Sequence, residues 1–510
     1  MAAREWRGFA RADLLAIAAL LAIYAALVLP YDRLPMLMVD ESRNALNALG
    51  MALHGHWLVP YYDGAPDHWN PKPPLLIWMI AALLRLGAPP LLALRLPSLT
   101  AAGGTLVLVW WFCRMVDGRR SGFLAGMILL TSSLYIGPHV ARSGDYDALL
   151  SAFMTGQAVA FWIATETGDT VRIGAFAIFA ACIVGAVMTK SIEGALLLPG
   201  LGLFAILRGR LPALLRDPLV WLLSLGAVTL CLGYYLTRTL YDPGYLTAVW
   251  HNELGGRFGG IEDRSSGGAL YYVLDLLRRF EPGMLLLPLA GFSLASRDPR
   301  RHSASLLCLV SGAVVLLVIS KAETKHYWYA APMIPLQSIA GGMGCVDALR
   351  WWSRREPHRL LPGCRSAEGA LFGMLACALV LCVMRNQVWS VRGLRLGQND
   401  QFWYGNFLNG LRDDHAAHRL TVLDDGLPNK SGFVNYNPML QFYAAWESHD
   451  GMKVALGQAG AALAPGSAVA TCDPTARAWL RRRGDLVVEH CDSACMFGRI
   501  AGGPRGAGPG

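Results

Sequence analysis

Charge is scarce in this chain of 510 residues: Asp, Glu, Lys and Arg make up 16% of it, against about 25% in an ordinary soluble domain. With 54% of the residues hydrophobic, the shortage excludes a single water-soluble globule and indicates a protein built for a bilayer. A Walker loop and a Gly-x-Gly-x-x-Gly fingerprint are also missing, so the sequence offers no cradle for a soluble nucleotide and no nucleotide cofactor is expected. No Ala-x-Ala peptidase site follows the first apolar run, "ADLLAIAALLAIYAALVLP", which therefore reads as a retained anchor. Internal repeats and Ser/Thr-rich stalks are lacking too, which argues against a repeat-built transporter and for a bacterial inner membrane over an endoplasmic reticulum.

What is present is a series of long apolar runs separated by short polar connectors up to about residue 385, followed by mixed, polar sequence. The expected organisation is a membrane domain over residues 1–385 and a small α/β domain over 386–510. The net charge of +9 is carried largely by arginines beside apolar runs, where positive charge marks the cytoplasmic side, so nucleic acid is not an implied partner and membrane lipids are. Arg4, Arg7 and Arg11 place the N-terminus inside. The basic connectors "CRMVDGRRSG", "LRGRLPALLRD", "SRDPRRHS" and "RWWSRREPHRLL" then fall inside as well if spans lie near 12–31, 94–113, 121–139, 147–165, 172–189, 192–208, 218–238, 280–297, 303–320, 328–349 and 367–385. This alternation predicts a mainly α, polytopic transmembrane bundle with about 11 to 13 crossings and leaves residues 386–510 outside. "LLIWMIAALLRLG" is shorter than the roughly 20 residues a crossing needs and reads as an interfacial helix in the first external loop.

The same alternation gathers the polar residues that composition does not explain at the external membrane edge. They are Asp40, Glu41 and Arg43; Lys72 in "HWNPKPP"; Arg142, Asp145 and Asp147 in "ARSGDYDALL"; Thr189–Lys190; Glu253 and Arg257 in "HNELGGRFGG"; and Lys325, His326 and Tyr329 in "KAETKHYWY". Ionised side chains at hydrocarbon depth cost roughly 2.5–3.5 kcal/mol each on insertion scales, so they line cavities or sites. Lys and Arg can hold a phosphate head group, which makes Arg43, Lys72, Arg142, Lys190, Arg257 and Lys325 the phosphate-binding set. The carboxylates Asp40, Glu41, Asp145 and Asp147 are the catalytic set, able to take a proton from an acceptor or to hold a divalent metal. Glu253, His326 and Tyr329 complete the group. Plainer readings exist for each member: a lysine at a span end snorkels, Asp145 or Asp147 caps a helix, and Trp57, Trp69 and Trp78 form an interfacial belt. His54, His56 and His68 match no standard zinc spacing and read as solvated or interfacial side chains.

On these fragments the chain resembles the GT-C class of integral-membrane glycosyltransferases, in the branch of the protein O-mannosyltransferases and the lipid A 4-amino-4-deoxy-L-arabinose transferases. The resemblance covers roughly residues 10 to 350. It rests on Asp40, Glu41 and Arg43; on Lys72, Pro73 and Pro74; on Arg142 with Asp145 or Asp147; on Thr189 and Lys190; on Arg257 and Phe258; and on Thr324, Lys325, Tyr329 and Pro332. It implies transfer of a single sugar from a polyprenyl (undecaprenyl) phosphate donor to an envelope acceptor, which would be lipid A, a glycan or a protein. It also implies a divalent metal, Zn, Mg or Mn, as an optional cofactor. Relatives often carry a Glu just before the "KPP" element, whereas this chain has Asn70 and Pro71, so its metal ligands are unknown. The competing class is a polytopic lipid or sugar transporter or flippase, which would place charge near the midplane and show repeats.

In the polar tail, Leu420–Leu423, Ala468–Thr471 and Leu486–Glu489 read as strands and Pro474–Arg483 as an amphipathic helix. In an oxidising compartment Cys472 can pair with Cys491 or with Cys495.

Overall fold

The computed structural model describes residues 10–29, 36, 39–255, 267–355, 367–396, 404–414, 416–426, 437–491 and 494–501. It divides into two compact units, residues 1–31 with 56–390 and residues 32–55 with 391–510.

The helices in chain order are α1 (Arg11–Val28), α2 (Asp40–His54, in the second unit), α3 (Leu75–Arg85), α4 (Pro90–Val116), α5 (Arg119–Thr131), α6 (Tyr146–Glu166), α7 (Ile173–Lys190), α8 (Leu198–Leu207), α9 (Pro218–Tyr241), α10 (Pro299–Lys321), α11 (Ile334–Arg355) and α12 (Ala367–Leu396). Among the described residues, α1, α4, α6, α7 with the turn after it, α9 and α10 are the six helices long and apolar enough to cross a membrane. The first unit is thus a multi-pass membrane bundle. With 11 residues, α3 rises only about 16 Å and cannot span a hydrocarbon core of about 30 Å.

Several expected spans are shorter or broken. The one near 280–297 is three short pieces, Pro282–Leu286, Leu287–Leu289 and Ala290–Leu294; Pro288, inside it, lacks the N–H that would continue the hydrogen-bond ladder. The one near 121–139 stops at Thr131 because extended Ser132 turns its side chain to accept from the Tyr135 N–H, starting a new turn. Between α7 and α8, Ser191 has φ +54°, and a 3₁₀ turn over Ser191–Ala195 follows. A Cβ on Gly194 would lie 2.3 Å from the Ala186 backbone, so only glycine lets this turn fold back on α7 and bring Glu193 to Lys190.

One end of the bundle is tied by arginines. Asp13 accepts from Arg114 at 2.8 Å and from Arg119 at 2.9 Å. Asp117 meets Arg350 at 2.6 Å and Arg301 at 3.6 Å, and Asp347 meets Arg350 at 3.0 Å and the Ser293 hydroxyl at 2.9 Å. Connectors expected on one side from their charge are therefore in contact. The starts of α4 and α6 and the end of α7 point to the opposite end.

The second unit adds α13 (Tyr404–Asp413), α14 (Pro438–His449) and α15 (Pro474–Arg481). After the two-residue strands β1 (Tyr61–Tyr62) and β2 (Ala65–Pro66) of the first unit come β3 (Arg419–Leu423), β4 (Lys453–Gly457), β5 (Ala468–Thr471), β6 (Leu486–Cys491) and β7 (Met496–Ile500). The last five form one sheet in the order β4-β3-β5-β7-β6, parallel over the first three strands and antiparallel over the rest. Ala476 and Leu480, one turn apart on α15, bury against Leu423, Val469, Met496 and Ile500. Cys472 is bonded to Cys495. The register explains the choice, since Thr471 pairs with Met496 and so their neighbours Cys472 and Cys495 meet at adjacent strand ends.

Candidate functional site

The candidate residues of the first unit form three buried groups. Lys72 Nζ lies 3.2 Å from Glu253 Oε1 and 5.5 Å above the Tyr146 ring. Its segment is held by two bonds: Tyr245 OH donates to the Pro71 carbonyl at 2.9 Å, and Asn70 Nδ2 donates to Tyr146 OH at 2.8 Å. Tyr245 in turn stacks under the Arg238 guanidinium at 3.9 Å, and Asp242 joins Arg238 at 3.3 Å to His68 at 2.7 Å. The Lys72 ammonium is thus set on a rigid polar scaffold.

In the second group Asp145 caps α6, accepting from the Tyr146 N–H at 2.7 Å through Oδ1, while Oδ2 meets His139 Nδ1 at 2.8 Å. Burial pushes the Asp145 carboxyl up, but the hydrogen bond and charge of His139 and the charge of Lys190 outweigh it and hold it below the usual range. The His139 ring stacks on Trp328, centroids 3.9 Å apart, and Trp328 stacks on His326 at 4.4 Å.

The third group is centred on Lys190, whose Nζ contacts Asp147 Oδ1 at 2.8 Å and Glu193 Oε2 at 2.9 Å and lies 5.0 Å from the Tyr329 ring centre. Its charge is already offset by two carboxylates. Three buried polar atoms are unpartnered in the same part of the unit: Asp147 Oδ2, Ser151 Oγ one turn along α6, and Tyr272 OH.

Two further cations are anchored to backbone. Arg142 donates to the Leu27 carbonyl from Nε at 3.1 Å and from a terminal nitrogen, tying its loop to the end of α1. Lys325 Nζ donates to the Ala322 carbonyl. Arg257 and Phe258 lie outside the described residues. Asp40, Glu41 and Arg43 open α2 in the second unit, where α2 packs on α14; Glu41 and Arg43 are buried. The residue before them, Val39, has φ +75°, an unusual conformation for a β-branched side chain.

His139, Glu193 and Tyr272 were not legible as site residues. Glu193 had a usable signal, its i+3 spacing from Lys190. His139 had only its place three residues before Arg142 in "GPHVARSGD".

A divalent metal finds two fitting donors in this unit, the His139 imidazole and the Asp145 carboxylate. Catalytic zinc takes three protein ligands, so a further donor from elsewhere in the chain or from substrate would be required. At Asn70, beside the "KPP" element, the side chain is bonded to Tyr146.

An α-helical membrane bundle with buried acid and base groups opposite an arginine-tied end, joined to a small α/β unit, has the architecture of the GT-C glycosyltransferases. Residues 71–235 match the family model described as dolichyl-phosphate-mannose-protein mannosyltransferase. The chain is 27% identical over 366 residues to the undecaprenyl phosphate-alpha-4-amino-4-deoxy-L-arabinose arabinosyl transferase of Aeromonas salmonicida, covering 70% of this chain and 63% of that protein. It is 26% identical over 318 residues to the enzyme of the same name from Pseudomonas savastanoi pv. phaseolicola, covering 60% and 57%. The matched stretch therefore spans a little under two thirds of these relatives' length. Among solved structures, ArnT from Cupriavidus metallidurans bound to undecaprenyl phosphate superposes with a TM-score of 0.64 at 16% identity, over 96% of this chain and 99% of that one. Archaeal oligosaccharyltransferase AglB from Archaeoglobus fulgidus, in complex with an inhibitory peptide and a dolichol-phosphate, gives 0.52 at 13% identity, over 85% and 64%. The fold is that of the GT-C class, and the chain is similar in sequence to its aminoarabinose-transferase branch.

Proposed function

We propose that the protein is a glycosyltransferase that moves one sugar from a polyprenyl (undecaprenyl) phosphate donor to an envelope acceptor at the outer face of a bacterial inner membrane, with the second unit periplasmic. The observation that carries this reading is the set of buried acids and ammonium groups, Lys72 with Glu253, Asp145 with His139 and Asp147 with Lys190, at one end of a GT-C bundle. The names of the sequence relatives support the donor class. In this reading the acceptor oxygen attacks the anomeric carbon, the bond from that carbon to the phosphate oxygen breaks, and polyprenyl phosphate leaves. The acceptor proton passes to a carboxylate, for which Asp40 and Asp145 are the candidates. Lys72 supplies the point charge for the leaving phosphate. A divalent ion, held by His139 and Asp145 with a further donor, would neutralise that phosphate as a Lewis acid; no step above depends on it.

The test is mass spectrometry of lipids, envelope glycans and proteins from a deletion strain beside its parent, with complementation by wild type, Asp40→Asn and Asp145→Asn. Loss of one sugar substituent, restored by wild type and reduced about 10²–10⁴-fold in rate by the carboxylate variants, is expected. An unchanged envelope in all three classes would overturn the reading.

A further inference from the structure

His139 is constrained in three independent ways. Its backbone has φ +66°, a conformation that few residues adopt but for which His and Asn are enriched. Its Nδ1 lies 2.8 Å from Asp145 Oδ2. Its ring stacks within 13° of the Trp328 plane and meets the Tyr327 ring edge-on at 6.1 Å. An ionised carboxylate only accepts, so Nδ1 carries the proton and donates. Capping α6 needs only one oxygen of Asp145, and Oδ1 already serves the Tyr146 N–H. The bond to Oδ2 is superfluous for the helix. What it adds is orientation, because with both oxygens engaged the carboxylate cannot rotate.

We propose that His139 is the positioning residue for Asp145 in the transfer reaction, fixing the plane of that carboxylate and linking it to the Tyr327–Trp328 segment that follows Thr324 and Lys325. The inference rests on the function proposed above. His139 works through Asp145, which holds the reacting proton or the acceptor. The Trp328 stack locks the imidazole in the plane that the hydrogen bond needs, and Arg279, 4.2 Å from the Tyr327 ring centre, steadies the neighbouring side of the stack. Sub-ångström placement is what such a device protects, since a misplacement of about 1 Å can cost on the order of 10²-fold in rate.

Three variants separate the roles. His139→Asn keeps both tolerance of positive φ and an N–H donor; His139→Gly keeps the backbone alone; Trp328→Leu removes the stack. Sugar transfer from a polyprenyl-phosphate donor is measured for each. In His139→Gly, kcat falls on the order of 10²-fold with KM for the donor within a few fold; His139→Asn recovers most of it, and Trp328→Leu falls between. Equal activity in His139→Gly and wild type, or equal loss in His139→Gly and His139→Asn, overturns the proposal. A second readout needs no substrate: in protein labelled with ¹⁵N-histidine, the resonance that disappears in His139→Asn shows a protonated Nδ1 and shifts in Trp328→Leu as the ring current is lost. An unprotonated Nδ1 overturns the geometry even if transfer is confirmed. If wild type transfers no sugar while the Nδ1–H signature is present, the functional reading has failed and the dyad has not. Metal addition closes the remaining route: a zinc whose binding abolishes the Nδ1–H signature would make that nitrogen the ligand and overturn its role as donor to Asp145, whereas the signature surviving with zinc bound supports it.

Discussion

At the scale of single residues, Lys190 shows how far a motif's residue can stand from its expected partner. It was expected to hold phosphate, yet its ammonium lies between Asp147 and Glu193, with Tyr329 beside it. Removing one member of such a buried set leaves uncompensated charge, which costs about 3–5 kcal/mol, whereas neutralising the whole set at similar volume can be nearly neutral. Lys190→Met should therefore lower the apparent melting temperature in detergent sharply, and the triple variant Asp147→Asn, Lys190→Met, Glu193→Gln should recover much of the loss. A triple variant less stable than Lys190→Met would contradict the account. In the second unit, Glu447 is a pH probe. Burial pushes its carboxyl up to about 7, against the lowering effect of Arg412 at 3.2 Å. A carboxyl whose folded value is raised binds its proton more tightly in the folded state. Its contribution is full below the ordinary carboxylate range and is lost as pH rises through about 7. Thermal unfolding should show the second unit more stable at pH 5.5 than at pH 8, and Glu447→Gln should flatten that difference; the same slope in both proteins would remove Glu447 as its cause.

At the scale of elements, the charge-free runs made α1, α4, α6, α7, α9 and α10 readable, because nothing but a span accounts for about 20 apolar residues. The break at Ser191 was legible as the gap between the runs at 172–189 and 192–208, whereas those at Ser132 and Pro288 were not, since they depend on single residues competing with the helix ladder. In the tail, β3, β5, β6 and α15 were visible from alternation and amphipathic spacing. β4, β7 and α14 were not, because their register is set by neighbours that the sequence does not place. Register also decided the cysteines: Thr471 and Cys491 both pair with Met496, from opposite sides of β7, so Cys495 could face either and only the fold selects Cys472. Closing a loop over a separation of 23 residues should stabilise the unit by about 3 kcal/mol in the chain-entropy estimate. Cys495→Ala is expected to lower the stability of the second unit by that order and Cys491→Ser to leave it near wild type. The two are read by urea titration followed through limited proteolysis of residues 404–501, and a larger loss in Cys491→Ser would mean the bridge is the other one.

At the scale of the whole molecule, the candidate residues were legible as a list and their pairings were not. Lys72 with Glu253, Arg142 with the Leu27 carbonyl and Asp145 with His139 join segments far apart in sequence or unmarked by any motif, so spacing carried no trace of them. Sidedness is where the two kinds of information meet. Charge alone put each basic connector inside one at a time; the ion pairs of Asp117 with Arg301 and Arg350, and of Asp13 with Arg114 and Arg119, bind three of the four, "CRMVDGRRSG", "SRDPRRHS" and "RWWSRREPHRLL", and the start of α1 into one end of the bundle, so those three share a side. The proposed function puts the second unit in the periplasm, and that placement can be tested. Cys491 reports on this directly. It is exposed and lies outside the Cys472–Cys495 bridge, and although burial raises its thiol, the bonds and charges of Arg481 and Arg477 together bring it below the ordinary thiol value, so more of it is reactive thiolate at neutral pH. In intact spheroplasts a membrane-impermeant maleimide should label the wild-type protein without reduction and should fail to label Cys491→Ser until Cys472 and Cys495 are reduced. Labelling of Cys491 only after lysis would place the second unit inside and would remove the periplasmic acceptor, and with it the proposed reaction at the outer face.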